Sequence, residues 1–185
     1  VFGVKPEEVT AELRRRAKAV NFGIVYGISD FSLAEDIGVS RAEAKEYINN
    51  YFTHYRAIKE YLDEAVRKAK ECGYVTTVFG RRRYLPELKS TNFNIRSFGE
   101  RAAMNTPIQG AAADIIKIAM VRVHKALLDA GLRSRLIMQV HDELIVEAPF
   151  EEADMAAAIL KREMEGAAGL SVPMLVEVKQ GKSWL

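Results

Sequence analysis

Apolar positions recur every three to four residues along much of the chain, which is the period of an amphipathic helix. Residue types that begin and end helices stand between these segments. Thr10 and Ser40 are N-cap types, and Gly73 is the type that follows a last helical turn. Helices are therefore predicted over these ranges: 11–27, two segments within 40–72 of which the second runs from about Tyr55 to Cys72, 92–104, 106–130 and 151–167.

β-Branched and aromatic residues cluster in a few shorter segments, which is typical of strands. One such segment runs from Tyr74 to Phe79, and a short final strand is predicted near 174–180. Two apolar segments, 135–140 and 144–148, flank His141-Asp142-Glu143 and predict a hairpin. The predicted fold class is α+β, with helices dominating.

The segment around Pro107 predicts the start of the longest helix. Thr106 is an N-cap type, and Pro107 would occupy the first helical position, where its missing N–H is not needed. Proline inside a helix removes a hydrogen bond, so residues 92–104 are predicted to form a separate helix. Apolar residues then follow at helical spacing on one side of the long helix: Ile108, Ala112, Ile115, Ala119, Val123 and Leu127.

The composition is that of one globular domain or two small lobes. The 185 residues are 49% apolar and 28% charged, and no apolar run reaches the ~18–20 residues of a bilayer span. The N-terminus lacks the basic start and apolar stretch of a signal peptide; it also lacks a starting Met, so we expect a piece of a longer protein. Cys72 is the single cysteine, which excludes a disulfide within the chain and favours a reducing cytoplasm.

The net charge of +2 is unevenly distributed along the chain. Residues 79–101 contain six basic and two acidic side chains, whereas residues 142–165 contain eight acidic and two basic ones. The first region could attract a polyanion and the second could hold cations, although two solvated faces would have the same composition.

Four residues spaced by four form one stripe on the first predicted helix: Arg14, Lys18, Phe22 and Tyr26. Such a stripe drifts by only about 40° per step. Its cations can contact phosphates while its aromatics stack on a base or a sugar. Gly23 and Gly27 lie beside the aromatics and would allow another backbone or a ligand to approach closely. The alternative is an amphipathic helix with its aromatics in the core and its cations in solvent.

Arg101, Asn105 and Gln109 are also spaced by four, but Pro107 is expected to keep them off one regular helix. Their side chains can donate hydrogen bonds to base edges and sugars. Helix caps or solvated polar residues are the alternative interpretation.

The His141-Asp142-Glu143 segment places carboxylates at the predicted hairpin, where they can bind a hard cation such as Mg²⁺. Two-metal phosphoryl transfer needs carboxylates that converge on ions ~3.5–4 Å apart. Because adjacent strand residues point to opposite faces, Asp142 and Glu143 are not both expected to be ligands. A partner aspartate should therefore come from elsewhere, and a merely polar turn is the alternative.

Three stretches together resemble one enzyme family. Residues 14–27 (Arg-Arg-Arg-Ala-Lys-Ala-Val-Asn-Phe-Gly-Ile-Val-Tyr-Gly) closely resemble the fingers-helix motif of family A DNA polymerases, the bacterial DNA polymerase I group. Residues 101–110 (Arg-Ala-Ala-Met-Asn-Thr-Pro-Ile-Gln-Gly) are similar to the stretch leading into that family's long palm helix. Residues 139–143 (Gln-Val-His-Asp-Glu) are similar to its palm motif with the metal-binding aspartate. The order and spacing of all three agree, and the resemblance covers essentially the whole chain.

The resemblance implies a role for each matching residue of the first stretch. Arg14 and Lys18 would grip the triphosphate of the incoming nucleotide, and Lys18 would also neutralise or protonate the leaving pyrophosphate. Phe22 would pack against the sugar and base, and Tyr26 would stack at the template position.

The other two stretches carry implied roles on the DNA and at the metal ions. Three residues would contact the primer–template near the nascent pair: Arg101, Asn105 and Gln109. His141 would lie by the primer terminus, and Asp142 would bind both Mg²⁺ ions. Glu143 would sit close by in a lesser catalytic role.

The resemblance also implies a fragment of the right-hand polymerase fold. Residues 1–127 would form the helical fingers with the start of the long palm helix, and residues 128–185 the C-terminal palm portion with a partial antiparallel sheet. The family's upstream palm motif, which supplies the second metal-binding aspartate, is missing. Residues 30–35 (Asp-Phe-Ser-Leu-Ala-Glu) mimic that motif but lie after the fingers helix, so they are interpreted as a loop leading into a short helix.

The partners implied are primer–template DNA, dNTP and the upstream palm and thumb of the same polymerase, with no membrane. Without that upstream part the chain is expected to be inactive. A non-catalytic nucleic-acid-binding module on a polymerase scaffold is the alternative function. A metal-dependent phosphohydrolase built on His141 and Asp142 is disfavoured, because neither His54 nor His124 sits in a recognisable ligand motif.

Overall fold

A computed structural model describes residues 2–184. The chain divides into two compact units, the first ending at Gly110 and the second beginning at Ala111. Six helices and two antiparallel strand pairs form in these residues, as the α+β class predicts. The elements are α1 (Ala11–Val25), α2 (Asp30–Ile37), α3 (Arg41–His54), α4 (Arg56–Cys72), β1 (Tyr74–Thr76), β2 (Arg82–Tyr84), α5 (Phe93–Asp129), β3 (Arg135–Val140), β4 (Glu143–Glu147) and α6 (Ala153–Glu165).

The helix boundaries predicted from cap residues are confirmed in the first unit. The Thr10 hydroxyl accepts a hydrogen bond from the Leu13 amide (3.2 Å) at the start of α1. Ser40 and Glu43 exchange side-chain-to-backbone bonds in a capping box at the start of α3. Gly73 ends α4 with a φ of 81°, a left-handed conformation that costs glycine little.

The core of the first unit lies where one side of α1 meets the three helices that follow it. Tyr51 on α3 also donates a hydrogen bond from its hydroxyl to the Asn21 side chain on α1 (2.8 Å). Because the apolar side of α1 is packed in this core and this partly buried bond joins it to α3, the opposite side of α1 points outward. The fully packed core residues are Val20, Ile24, Leu33, Ala34, Ile37, Ala44, Tyr51 and Leu62.

The strand predicted over Tyr74–Phe79 is too long, because β1 ends at Thr76. The Thr77 amide donates to the Arg81 carbonyl (2.9 Å), and Gly80 adopts a φ of 81° to close the turn. Val78 and Phe79 therefore lie in a turn, and β1 pairs antiparallel with β2, which the sequence pattern did not predict.

The two helices predicted on either side of Pro107 are one continuous helix, so this prediction is wrong. Pro107 lies inside α5 and is buried, while Thr106 caps nothing and instead accepts a hydrogen bond from Arg83 (3.0 Å). Proline cannot donate a backbone hydrogen bond, so α5 continues through this position with one such bond fewer. A methyl group at Gly110 would lie 2.7 Å from the Thr77 side chain, which shows how closely α5 approaches the β1–β2 turn.

The second half of α5 supplies the core of the second unit. Ala119, Val123 and Leu127 are buried as predicted, with Leu144 of β4 and Ile159 of α6 in the same core. The N-terminal members of the predicted apolar stripe, Ile108 and Ala112, are exposed instead. Within residues 2–184, no helix is both long and apolar enough to cross a membrane.

The predicted hairpin is confirmed, and β3 pairs with β4 from Arg135↔Glu147 to Val140↔Glu143, with a bulge between Leu136 and Met138. The strand predicted over 174–180 is absent from the described part of the chain. A strand needs a hydrogen-bonded neighbour, and in this segment the Val176 amide instead donates to the Glu165 carboxylate (3.1 Å).

Candidate nucleotide, DNA and metal sites

The four residues of the predicted α1 stripe all point away from the core. Phe22 is 52% exposed and Tyr26 is 50% exposed, and Arg14 and Lys18 are exposed as well. The alternative in which the two aromatics belong to the core is therefore wrong. Two large aromatic side chains are half-exposed here, although the opposite side of the same helix is packed in the core. Such exposure indicates a binding surface.

Neighbouring charges decide which cations of this helix are available. Glu12 accepts hydrogen bonds from Arg15 (2.8 and 2.9 Å) and from Arg16 (2.9 Å). These two guanidinium groups lower the pKa of Glu12 to about 2, so it stays ionised and holds both of them. Arg14 and Lys18 form no side-chain hydrogen bond or ion pair within residues 2–184. The stripe therefore presents two uncommitted cations, while Arg15 and Arg16 share the single carboxylate of Glu12.

Gly23 and Gly27 are required by close packing of this unit's own chain. A methyl group at Gly23 would lie 2.7 Å from the Ile28 side chain. Gly27 has a φ of 68°, and a methyl group there would lie 2.9 Å from Arg101 and 3.3 Å from Met104. The close approach that the sequence predicted is thus made by Ile28 at Gly23, and by α5 at Gly27, which lies just after α1.

Tyr26 and Gln109 are brought together by this approach. The Gln109 side-chain amide donates to the Tyr26 hydroxyl at 3.1 Å. Because Gly27 packs on Arg101 and Tyr26 reaches Gln109, the end of α1 lies along the stretch of α5 that carries the second group of predicted residues.

Arg101, Asn105 and Gln109 share one face of α5, because the helix continues through Pro107. Arg101 and Gln109 are exposed, and Arg101 donates to the Ser97 hydroxyl at 2.8 Å. The amide nitrogen of Asn105 is buried without a hydrogen-bond partner among the described residues. An unused buried donor costs about 1–3 kcal/mol, which marks a position where an acceptor is wanted.

His141 and Asp142 form the turn of the β3–β4 hairpin, and Glu143 is the first residue of β4. His141 has a φ of 52°, and its carbonyl accepts a hydrogen bond from the Gln139 side chain. Asp142 and Glu143 are exposed, and their carboxylates form no hydrogen bond or ion pair within residues 2–184. The hydrogen bond from Gln139 to the His141 carbonyl was not predicted. The position of Gln139 two residues before His141 was the signal that could have indicated it.

The described residues contain no cluster of three or more histidine, cysteine or acidic side chains that could hold a metal ion. Asp30, the aspartate of the mimicking segment, begins α2 and bonds to Arg41 (2.9 Å). This guanidinium lowers the pKa of the Asp30 carboxyl, so the group is committed to joining α2 and α3. The predicted loop leading into a short helix is corrected here, because residues 30–35 already belong to α2, which begins at Asp30.

The sequence model of DNA polymerase family A matches residues 1–185. The chain belongs to this family. Its α+β fold is that of a fingers and palm fragment of a family A polymerase. The subdomain boundary between residues 127 and 128 stays a prediction, and the compact units divide at a different place, after Gly110.

Relatives in this polymerase family cover the whole chain. The chain is 57% identical over 184 residues to a DNA polymerase I of Caldicellulosiruptor bescii, and 53% identical over 184 residues to one of Geobacillus stearothermophilus. All of this chain is matched in both cases, but only 22% and 21% of the relatives. The chain therefore spans about one-fifth of the length of the curated polymerases it matches.

A solved family structure has the same fold. The polymerase domain of Pol1 from M. smegmatis, in complex with DNA primer-template and dNTP, superposes with a TM-score of 0.89 at 48% identity. The match covers 93% of this chain and 30% of that one.

Proposed function

We propose that this chain is the C-terminal part of a template-directed DNA polymerase, which transfers a nucleotide from dNTP to a primer 3′-hydroxyl. The observation that carries the proposal is the outward face of α1, with two uncommitted cations followed by two half-exposed aromatics. Membership of DNA polymerase family A supports it, as does the similarity to a polymerase domain solved with primer-template and dNTP.

Arg14 and Lys18 bind the triphosphate of the incoming dNTP in this proposal. They lie one helical turn apart, about 6 Å along the helix, so both reach one polyphosphate chain. A cation at Lys18 neutralises the charge that develops on the departing pyrophosphate and can donate a proton to it. Arg15 and Arg16 are less available for this role because both are bonded to Glu12.

Phe22 and Tyr26 take the base end of the nucleotide. Phe22 packs against the sugar and base, and Tyr26 stacks at the template position. Both rings are accessible on the same stripe as the cations, which supports a ligand lying along the helix with its phosphates toward the N-terminal part of α1.

Arg101, Asn105 and Gln109 contact the primer–template. The buried, unpartnered amide of Asn105 supports this role, since a sugar or base acceptor would satisfy it. Gln109 is bonded to Tyr26 in this structure, so its contact with DNA requires this bond to open.

Asp142 is the metal ligand of this chain, with His141 near the primer terminus and Glu143 close by in a lesser role. The exposed carboxylate of Asp142 has no competing partner in the described residues, and a carboxylate oxygen is the donor that Mg²⁺ prefers. Two bound Mg²⁺ ions supply charge neutralisation and activation of the attacking hydroxyl. One carboxylate is too few for two ions, so the second aspartate comes from outside this chain.

The upstream palm and thumb complete the protein in this proposal, with residues 1–127 as fingers and 128–185 as the palm portion. The β3–β4 pair has two strands only, and Leu175 in the irregular C-terminal segment is 88% exposed. An unpaired sheet edge and bare apolar side chains are features that further polymerase chain would cover. The cytoplasm is the proposed compartment, in keeping with a single free cysteine.

Primer extension tests the proposal. The chain is assayed with Mg²⁺, dNTP and primer–template, first alone and then with a polypeptide supplying the upstream palm and thumb of the Caldicellulosiruptor bescii relative. Activity is expected in the mixture only and is expected to be lost in Asp142→Ala. Activity of the chain alone would contradict the need for an external aspartate, whereas salt-sensitive DNA binding indifferent to Mg²⁺ and dNTP would support a non-catalytic binding module.

A further inference from the structure

A fourth side chain lies on the face of α5 that carries Arg101, Asn105 and Gln109. Phe98 is 48% exposed, and at 100° per residue the four positions fall within an arc of about 80°. Phe98 lies roughly 5 Å from Arg101 along the helix axis and about 16 Å from Gln109. The face therefore begins with a bare aromatic ring and continues with a guanidinium and two amides.

The exposure of Phe98 follows from how α5 is seated. The buried side of this part of the helix consists of small residues, Gly99, Ala102 and Ala103. A methyl group at Gly99 would lie 3.1 Å from both Glu87 and Leu88, so the helix rests on this side against its neighbours. Phe98 lies at the border of this packed side, one turn before Ala102, and about half of its side chain stays exposed.

Charge on this face suits a polyanion. Arg101 is its cation, and only one of the five N–H donors of this guanidinium is used, in the bond to Ser97. The single acidic residue of α5 before Gln109 is Glu100, which lies on another side of the helix and pairs with Lys70 (2.6 Å). The bond to Ser97 draws the guanidinium toward the helical turn that carries Phe98.

We propose that Phe98 is a stacking platform for an unpaired base of the template strand, with Arg101 on the adjacent phosphate. An exposed ring can stack only on a base whose face is free, and a base inside a duplex has none. The base is therefore one beyond the paired region, in the single-stranded template overhang. This inference rests on the proposed function, because it assumes that the Arg101–Gln109 face contacts primer–template DNA.

Binding of two DNA probes tests the inference. One probe is a primer–template with an unpaired template overhang, and the other is the blunt duplex of the same paired sequence. Phe98→Ala is expected to weaken binding of the overhang probe by about 5- to 10-fold, the lower range of one base–aromatic stack, and to leave blunt-duplex binding unchanged. Phe98→Trp is expected to restore affinity, with its fluorescence quenched by the overhang probe only.

Phe93→Ala is the matched control. Phe93 lies on the same helix and is more exposed, at 71%, but its position is about 140° from Phe98 around the axis. Its ring lies beneath Arg96. Binding of both probes by this variant is expected to stay within twofold of the unaltered chain.

Several outcomes would overturn the inference. Equal affinity of Phe98→Ala and Phe93→Ala for the overhang probe would exclude stacking by Phe98. Equal weakening of both probes by Phe98→Ala would mean that the Phe98 ring contacts DNA without recognising an unpaired base. Phe98→Ala could also weaken DNA binding by the chain alone but not by the chain with the upstream polypeptide bound. This result would mean that the upstream polypeptide covers the Phe98 ring. Arg101→Ala separates the two proposals: if it weakens DNA binding and Phe98→Ala does not, only the stacking inference fails. If the unaltered chain binds no primer–template, both fail.

Discussion

The proposed nucleotide-binding face of α1 and the β3–β4 hairpin differ in how completely this chain forms each site. On α1 the binding residues stand on a helix whose back is packed in a core of four helices, and its last turn is tied to α5 through Gly27 and the Tyr26–Gln109 bond. On the hairpin, Asp142 stands at the turn of a two-stranded sheet with no partner in the described residues.

This difference indicates where, under the proposed function, an upstream palm would act. Binding of a triphosphate by two adjacent cations needs only the correct helix face, which local packing provides. Holding two divalent ions needs several carboxylates converging on one place, which one hairpin does not provide. The first unit is therefore expected to tolerate isolation better than the second.

Lys18→Ala tests the α1 face, which this chain forms without outside residues, and it has the largest expected effect. In the completed polymerase, loss of a cation that stabilises the departing pyrophosphate is expected to lower the rate of nucleotide addition by about 10²- to 10³-fold. The measurement is single-turnover primer extension at saturating dNTP. An unchanged rate would remove Lys18 from the proposed mechanism.

Arg15→Ala is the control for this prediction. Arg15 lies on the same helix and carries the same charge, but it is bonded to Glu12. Its removal is expected to change the rate by less than about twofold, in line with the small worth of an exposed ion pair. A large effect would mean that the Glu12 pairs do not select among the cations of this helix.

Gly27→Ala breaks the tie between α1 and α5. A left-handed alanine costs about 1–2 kcal/mol, and here its methyl group would also lie 2.9 Å from Arg101, so a total loss of about 2–4 kcal/mol in the free energy of unfolding is expected. Gly38→Ala is the matched control, because Gly38 has a φ of 67° with no atom near the added methyl. Thermal unfolding of both variants gives the comparison; equal losses would show that the contact with Arg101 contributes nothing.

Local backbone rules explain what could be predicted of the fold. The caps at Thr10 and Ser40 and the stop at Gly73 follow from residue types that act within one turn of their own position. The turn at His141 and Asp142 follows in the same way from flanking apolar strands. Such features need no knowledge of the rest of the chain.

The errors occur where distant contacts decide. Pro107 has the sequence context of a helix start, yet its buried side is held against other elements and α5 runs through it. Residues 174–180 have the composition of a strand, but a strand also needs a neighbour, and the described residues offer none. Neither outcome can be read from the residues of the segment itself.

The site divides in the same way. The spacing of Arg14, Lys18 and Tyr26 was sufficient to place them on one face, because helical geometry alone sets it. The commitment of Arg15 and Arg16 to Glu12 could also have been predicted, from spacings of three and four residues. The bond between Tyr26 and Gln109 could not, since 83 residues separate them.

Tyr26→Phe tests how firmly that bond joins α1 to α5. Removing one exposed neutral hydrogen bond is expected to lower the free energy of unfolding by about 0.5–1 kcal/mol. A double-mutant cycle with Gln109→Ala isolates the pair, and a coupling energy of similar size is expected from denaturant unfolding. A coupling energy of zero would mean that the contact between the end of α1 and α5 depends on Gly27 alone. The α1 face would then be held less rigidly than the two contacts together imply.

The smallest expected effect concerns the acid stability of the second unit. Arg133 and Ser134, which directly precede β3, are bonded to Glu152, whereas Asp142 at the hairpin turn has no partner among the described residues. Glu152 accepts hydrogen bonds from the Ser134 hydroxyl (2.7 Å) and from the amides of Ser134 (2.9 Å) and Arg133 (3.1 Å). These bonds, led by that of the Ser134 hydroxyl, lower the pKa of Glu152 from its ordinary 4.5. A carboxyl with a lowered folded-state pKa stabilises the fold above its unfolded pKa, and this contribution is lost as the pH falls from 4.5 through the lowered value.

Glu152→Gln is therefore expected to reduce the melting temperature at neutral pH and to flatten its decline below pH 4.5. Glu151→Gln serves as the control, because Glu151 is exposed and its one ion pair within residues 2–184 is with the Arg133 side chain. Melting curves of the three proteins at neutral and acidic pH give the measurement. If Glu152→Gln and the unaltered chain lose stability in parallel on acidification, the segment before β3 is not stabilised by this carboxylate. The stability of the hairpin end opposite the turn would then depend on the apolar packing around Val123 and Leu127.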